Sequence, residues 1–205
     1  RQTGTALVVG DIQVSWLALL EYNGTDMILL NPATHDHLDK SKGGAIVWQG
    51  LPDGVIVQVQ HYQTGAMATG TTLMINDDSI PQNTEGNEYM TLAITPKATT
   101  NILIIECVFN YTHTNGGIIN IAIFQDSTAD ALAAIQDSLA ADVNQSRPVN
   151  FCHKMVAGTT SSTTFKIRAG NCSTGATMTF NGASGARRMG GVMASSITIT
   201  EYKAS

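Results

Sequence analysis

The sequence predicts an all-β chain of short strands and tight turns, without the alternating helices of an α/β protein. Three observations carry this expectation. Charged residues make up 13% of the 205, about half the ~25% usual in a globular domain. Their place is taken by Thr, Ser, Asn, Gln and 19 glycines, the residues that suit pleated surfaces and turns. Apolar and polar residues then alternate over runs of strand length.

The first run, "TALVVGDIQVSWLALLEY", and the second, "DMILLN", flank Asn23-Gly24, a strong hairpin dipeptide. Two or three strands are marginal in water by themselves. This module therefore needs a partner surface, on the rest of the chain or on other copies of it. Pro32 closes it, and a polar connection with Gly43-Gly44 follows. The expected organisation is a small β stalk or attachment module at 1–34, a polar linker at 35–54 and a larger tip domain at 55–205.

In the tip domain, "VIVQVQHY" is expected to put Val55, Val57 and Val59 on one face and Ile56, Gln58 and Gln60 on the other. A long polar loop runs from Gln63 to Asn87. The next strands are "EYMTLAIT", "NILIIECVFNYT", "GIINIAIFQ", "VNFCHKMVAG", "TTFKIRAG", "TMTFNG" and "SSITITEY". Asn115-Gly116-Gly117 reads as a hairpin between two of them. The stretch from Ser127 to Val143 carries two opposed signals. Leu132, Ile135 and Leu139 at helical spacing favour a helix, and the all-strand surroundings favour a loop. About eight strands without βαβ alternation make a sandwich or barrel, and an eight-stranded sandwich with long loops at one end is a jelly roll.

Composition excludes several functions. A net charge of −5 with 11 basic residues argues against nucleic acid, which requires a basic stripe; Arg187-Arg188 is the one adjacent basic pair of note. The longest apolar run, "NILIIECVF", is of strand length and carries Glu106, so no membrane insertion is expected. Three cysteines, Cys107, Cys152 and Cys172, have no C-x-x-C spacing and read as reduced thiols of a protein assembled in a cytosol. The chain opens at Arg1, so it is expected to be a fragment or a processed product.

No catalytic signature is present, and no enzyme is expected. "GASGA" misses the spacing of a nucleophile elbow, and P-loop, dinucleotide and H-E-x-x-H patterns are absent. Asp77, Asp78, Asn83, Glu85 and Glu88 form a run of hard oxygen donors that suits Ca²⁺, or simply an acidic solvated loop. His35-Asp36-His37 sits among Asp39, Lys40 and Lys42. In a monomer it reads as a solvated linker; on a threefold axis, the imidazoles of three chains would encircle one octahedral transition-metal ion.

Four stretches, "NTEGNEYMTLAITPKATTNILIIE", "IAIFQDSTADALAA", "MVAGTTSSTTFKIRAG" and "RRMGGVMASSITITEY", resemble a domain found at the ends of tailed-bacteriophage fibres and other virion-surface proteins. "TGTALVVGDIQVSWLALLEYNGTDMILLNPAT" resembles a small module of phage tail and fibre proteins, with Trp16 where that module usually has small residues. Such proteins are similar to the trimeric jelly rolls of the tumour-necrosis-factor and complement-C1q class. The resemblance implies a homotrimer at the virion surface, assembled in the bacterial cytoplasm. It also implies contacts with other virion proteins through a part preceding Arg1, and a bacterial surface glycan or protein as receptor. The alternative is a structural capsid-decoration or tail-associated protein without receptor binding; a glycan-degrading enzyme ranks below both. Tyr62, Phe109, Tyr111, Phe124, Phe151 and Phe165 are candidates for the face covered by neighbouring subunits, or else they fill the sandwich core. Receptor contacts are expected in the long loops, at Asp77, Asp78, Asn83, Asp137 and Asn144, at the end away from the stalk.

Overall fold

The computed structural model describes residues 20–22, 27–29, 52–114, 117–139 and 145–204, in two units divided between Gly50 and Leu51. His35, His37, Asn144 and the dipeptides Asn23-Gly24 and Asn115-Gly116 lie outside the described residues. In the first unit, β1 (Leu20–Tyr22) pairs antiparallel with β2 (Met27–Leu29), Tyr22 opposite Met27.

The second unit is all-β. Its strands are β3 (Ile56–Thr64), β4 (Ala68–Gly70), β5 (Asn87–Ile94), β6 (Ile102–His113), β7 (Gly117–Gln125), β8 (Ala133–Leu139) and β9 (Arg147–Val156). They continue as β10 (Thr163–Asn171), β11 (Met178–Phe180), β12 (Gly182–Ala183), β13 (Ala186–Arg187) and β14 (Ser195–Tyr202). Two antiparallel sheets form a β-sandwich. One runs β9–β6–β14–β3, and the other β8–β7–β10–β5. β14 leaves the edge of β6 beyond Val108, and β11 takes over at Tyr111–His113, with β4 outside it. The first and last strands of the unit are neighbours, and Lys203 N donates to Val55 O at 2.9 Å. The chain therefore enters and leaves this unit at one end.

Alternation explains the core. On β6, Leu103, Ile105, Cys107, Phe109 and Tyr111 point inward and are buried. They meet Ile119, Ile121 and Ile123 of β7, Phe165 and Ile167 of β10, and Ile197 and Ile199 of β14. Phe109 and Phe180 stack at 4.9 Å between centroids, with Tyr89 edge-on to Phe109 at 5.6 Å. Each fully buried side chain of this size contributes about 1.5–3 kcal/mol.

The structure corrects four expectations. Residues 133–139 are neither helix nor loop but strand β8. The free edge of β7 offers a ladder from Ile123 to Gly117, and Ile135 packs against the core, which overrides helix propensity. Asn115–Gly117 does not join a hairpin, because β6 and β7 lie in different sheets. Val57 and Val59 do not share a face. A register shift at Tyr202/Glu201 buries Val57 and leaves Val59 50% exposed opposite Thr200. Of the two alternatives for the aromatic residues, the outer face is corrected and the core holds: Phe109, Tyr111 and Phe165 fill it, Phe151 packs against it, and Tyr62 shares the side of Ile197 at the edge. Phe124 lies on the other side of its sheet in a second small core with Met74 and Ala122.

One polar group is built into the sandwich. Glu201 is fully buried, and its carboxylate accepts from Lys97 N at 2.7 Å, Asn101 Nδ2 at 2.6 Å and Gln58 Nε2 at 2.5 Å. It ties the β5–β6 connection and β3 to the last strand. Glu201→Ala takes this acceptor from Lys97 N and Asn101 Nδ2, while Gln58 Nε2 keeps Thr95 O at 2.8 Å, and is expected to cost about 3 kcal/mol. Urea unfolding monitored by tryptophan-independent far-UV dichroism measures this, and a loss under about 1 kcal/mol would show the network to be dispensable.

Candidate functional site

The loop expected from Gln63 to Asn87 is not an open tip loop. Gln63 and Thr64 complete β3, Ala68–Gly70 is β4, and residues 71–86 form a strap along the sheet. Met74 is its anchor: its N–H donates to Asn171 O at 2.9 Å, and its carbonyl accepts from Asn120 Nδ2 at 2.8 Å. Met74 thereby buries Ala122 and Phe124 on the outer side of the β8–β7–β10–β5 sheet. Gly170 permits the approach, since a Cβ there would meet Thr72 O at 2.6 Å.

The strap's polar residues serve its own conformation. The Glu85 carboxylate accepts from Gln82 N at 2.7 Å and Ile75 N at 3.2 Å, and Arg168 donates to the carbonyls of Glu85 and Gly86. Asn83 Nδ2 donates to the carbonyls of Ser127 and Thr128, at 3.2 and 3.0 Å. Asp77 accepts from both the backbone and the hydroxyl of Ser79, which hold its carboxyl below its ordinary value. Asp78 is exposed beside it. Glu88 lies on β5 and faces Arg168 and Lys166. Among the described residues, no group of three His, Cys, Asp or Glu side chains is placed to hold a metal ion.

Asp77, Asp78 and Asn83 lie near the β7–β8 turn, at the end where the chain enters the unit. Asp137 lies at the opposite end of β8, so these candidates form no common site. Asp137 instead belongs to a compact polar cluster. Arg147 grips its carboxylate with Nε at 3.2 Å and Nη2 at 3.1 Å, and the buried Tyr111 hydroxyl donates to it at 2.9 Å. The cluster lines an open groove of about 330 Å³ between β8 and β9, with Ile135, Gln136, Pro148 and Asn150. Burial acts to raise the Asp137 pKa, but the hydrogen bonds from Arg147 and Tyr111 outweigh it and hold the carboxyl below its ordinary value.

The sequence places receptor contacts at the end away from the stalk, but in other segments than those the structure puts opposite the chain entry. That end carries the β3–β4 and β12–β13 turns and residues 188–194. Asn181, Asn110 and Ser195 form a buried base for it. Ser195 Oγ donates to Asn181 Oδ1 at 2.7 Å, Asn110 Nδ2 to Ala194 O at 2.6 Å, and Asn181 Nδ2 to Thr64 O at 2.7 Å. The signal that could have found it was Arg187-Arg188 followed by "MGGV".

No family profile and no curated protein matches the chain. Among solved structures, the dimeric latent PorU of Porphyromonas gingivalis is similar at 10% identity with a TM-score of 0.33, over 75% of this chain and 14% of that one. The T=1 particles derived from infectious bursal virus are similar at 13% identity and a TM-score of 0.33, over 73% of this chain and 37% of theirs. The VP2 subviral particle of infectious bursal disease virus follows at 11% and 0.29, over 73% of this chain and 38% of that one. The chain thus spans well under half of each. Similarity of this degree carries no argument about what the chain does.

Because the folded-state pKa of Asp137 is depressed, its contribution to stability is complete above about pH 5 and is lost as the pH falls below about 4. Asp137→Asn is expected to cost about 1 kcal/mol at pH 7, kept small because Arg147 is half exposed. The gap between variant and wild type should narrow in melts as the pH falls from about 5 toward about 2, and a gap that stays constant over that range would contradict this assignment.

Proposed function

We propose that this chain is the distal part of a virion fibre, a homotrimer that attaches to a bacterial surface. The observation that carries the reading is an uncovered apolar face. The register of β3, β14, β6 and β9 puts Ile56, Tyr202, Ile102 and Val156 in one row on the outside of their sheet, with Val59, Thr200, Ile104 and Lys154 in the next. Ile56, Val59 and Val156 are each about half exposed. A β-sheet needs its apolar face covered, and contiguous apolar patches on soluble proteins mark interfaces. The strand order β9–β6–β14–β3 against β8–β7–β10–β5 is that of a jelly roll, which supports assembly through this face around a threefold axis. Such an assembly leaves the end opposite the chain entry free, and repeats any weak contact there in every subunit.

Light scattering on the purified chain is expected to give a trimer. Val59→Glu combined with Val156→Glu should give folded monomers, because both positions are half exposed within the unit; a monomeric wild-type chain would overturn the assembly. Attachment is tested by incubating the trimer with a panel of bacteria and measuring the cell-bound fraction. Saturable binding to some strains is expected. A stable trimer that binds none would leave capsid decoration or a tail-associated structural role as the better reading.

A further inference from the structure

We propose that residues 187–192, at the end opposite the chain entry, form a docking tip for an anionic lipid surface, with phosphate-bearing headgroups over an apolar layer. The inference rests on the attachment reading and gives its target a chemical class.

Four features converge on this tip. Met189 and Val192 are 74% and 81% exposed, more than any other large apolar side chain described. They stand beside Arg187 and Arg188, both exposed. Among the described residues neither arginine joins an ion pair, whereas Arg147 and Arg168 each face a carboxylate. The backbone holds this display in place. Met189, Gly190 and Gly191 take positive φ in succession, at 47°, 65° and 94°, and Gly191 N donates to Arg188 O at 2.9 Å. A Cβ at Gly65 would meet Gly191 O at 2.0 Å, so the tip is seated directly on the β3–β4 turn, above the Asn110–Asn181–Ser195 base. A non-glycine residue held in the left-handed region points to function rather than drift.

The fourth feature is charge placement. The chain is acidic overall, but Asp53, Asp77, Asp78, Asp126 and Asp130 lie toward the chain-entry end. Of the described acids toward the far end, Asp137 is paired with Arg147 and Glu88 with Arg168. The tip is therefore a positive spot with an apolar crest. An anionic lipid surface matches both parts: headgroup phosphates accept from the guanidinium forks, and Met189 and Val192 enter the apolar boundary beneath them. An acidic protein would satisfy the arginines but leave the crest without an apolar layer.

The experiment is co-sedimentation of the full chain with vesicles of phosphatidylcholine alone or doped with phosphatidylglycerol. Binding is expected to the doped vesicles and to weaken with added salt. Each arginine near an anionic surface is worth about fivefold in affinity, so Arg187→Ser with Arg188→Ser should lose at least about tenfold. Met189→Ser with Val192→Ser should lose binding to a similar extent while keeping the wild-type melting temperature, since neither side chain packs inside the unit. Binding to neutral vesicles of equal strength, no binding to either, or binding to doped vesicles that survives both double variants would overturn the inference. If the variants still adsorb to bacteria as the wild type does, attachment stands and the lipid tip falls.

Discussion

Strand β6 is the member on which the rest of the second unit depends. It is the longest strand described, and both of its edges are occupied along most of its length. β9 pairs with one edge, and β14 followed by β11 with the other. Its inward row of Leu103, Ile105, Cys107, Phe109 and Tyr111 is the middle of the core, and burial pushes the Cys107 thiol up to about 12. That value makes the thiol inert, in keeping with its role as a small apolar filler. Because β6 has partners on both sides, a one-residue slip would turn its whole buried row outward. The register of the sheet is set there.

The outward row of the same strand has a different fate. Ile102, Ile104 and Val108 lie on a face that no other part of the described unit covers, and Glu106 interrupts them. This outer face is aliphatic, and the aromatic residues of the core lie on the other side of the sheet. The opposite sheet is finished within the chain: the strap of residues 71–86 covers Ala122 and Phe124. One sheet carries a strap of its own polypeptide, and the other keeps its aliphatic row exposed within the described unit.

The strap also explains why the acidic residues at 77–88 hold no common site. Carboxylates and amides that look like donors for a cation are occupied in turning and tethering a segment whose backbone would otherwise lack partners. Long polar connections need such internal acceptors when they run along a sheet. The most exposed apolar side chains instead sit on a short segment beside Arg187 and Arg188, where three successive left-handed residues precede Val192.

By itself the sequence determined the all-β class and most of the strands, because period-2 alternation is a local property that "ILIIECVFNYT" and "SSITITEY" carry within themselves. It also supplied the ingredients of the tip in Arg187-Arg188-Met189-Gly190-Gly191. Tertiary structure alone decided that 133–139 is a strand, since only the open edge of β7 makes extension better than a helical turn. It alone decided that β6 and β7 lie in different sheets, that Phe124 and Phe109 serve different cores, and that Asn83 and Asp137 lie at opposite ends. These outcomes depend on which distant strand meets which, and a linear pattern records a residue's face but not the neighbour that covers it.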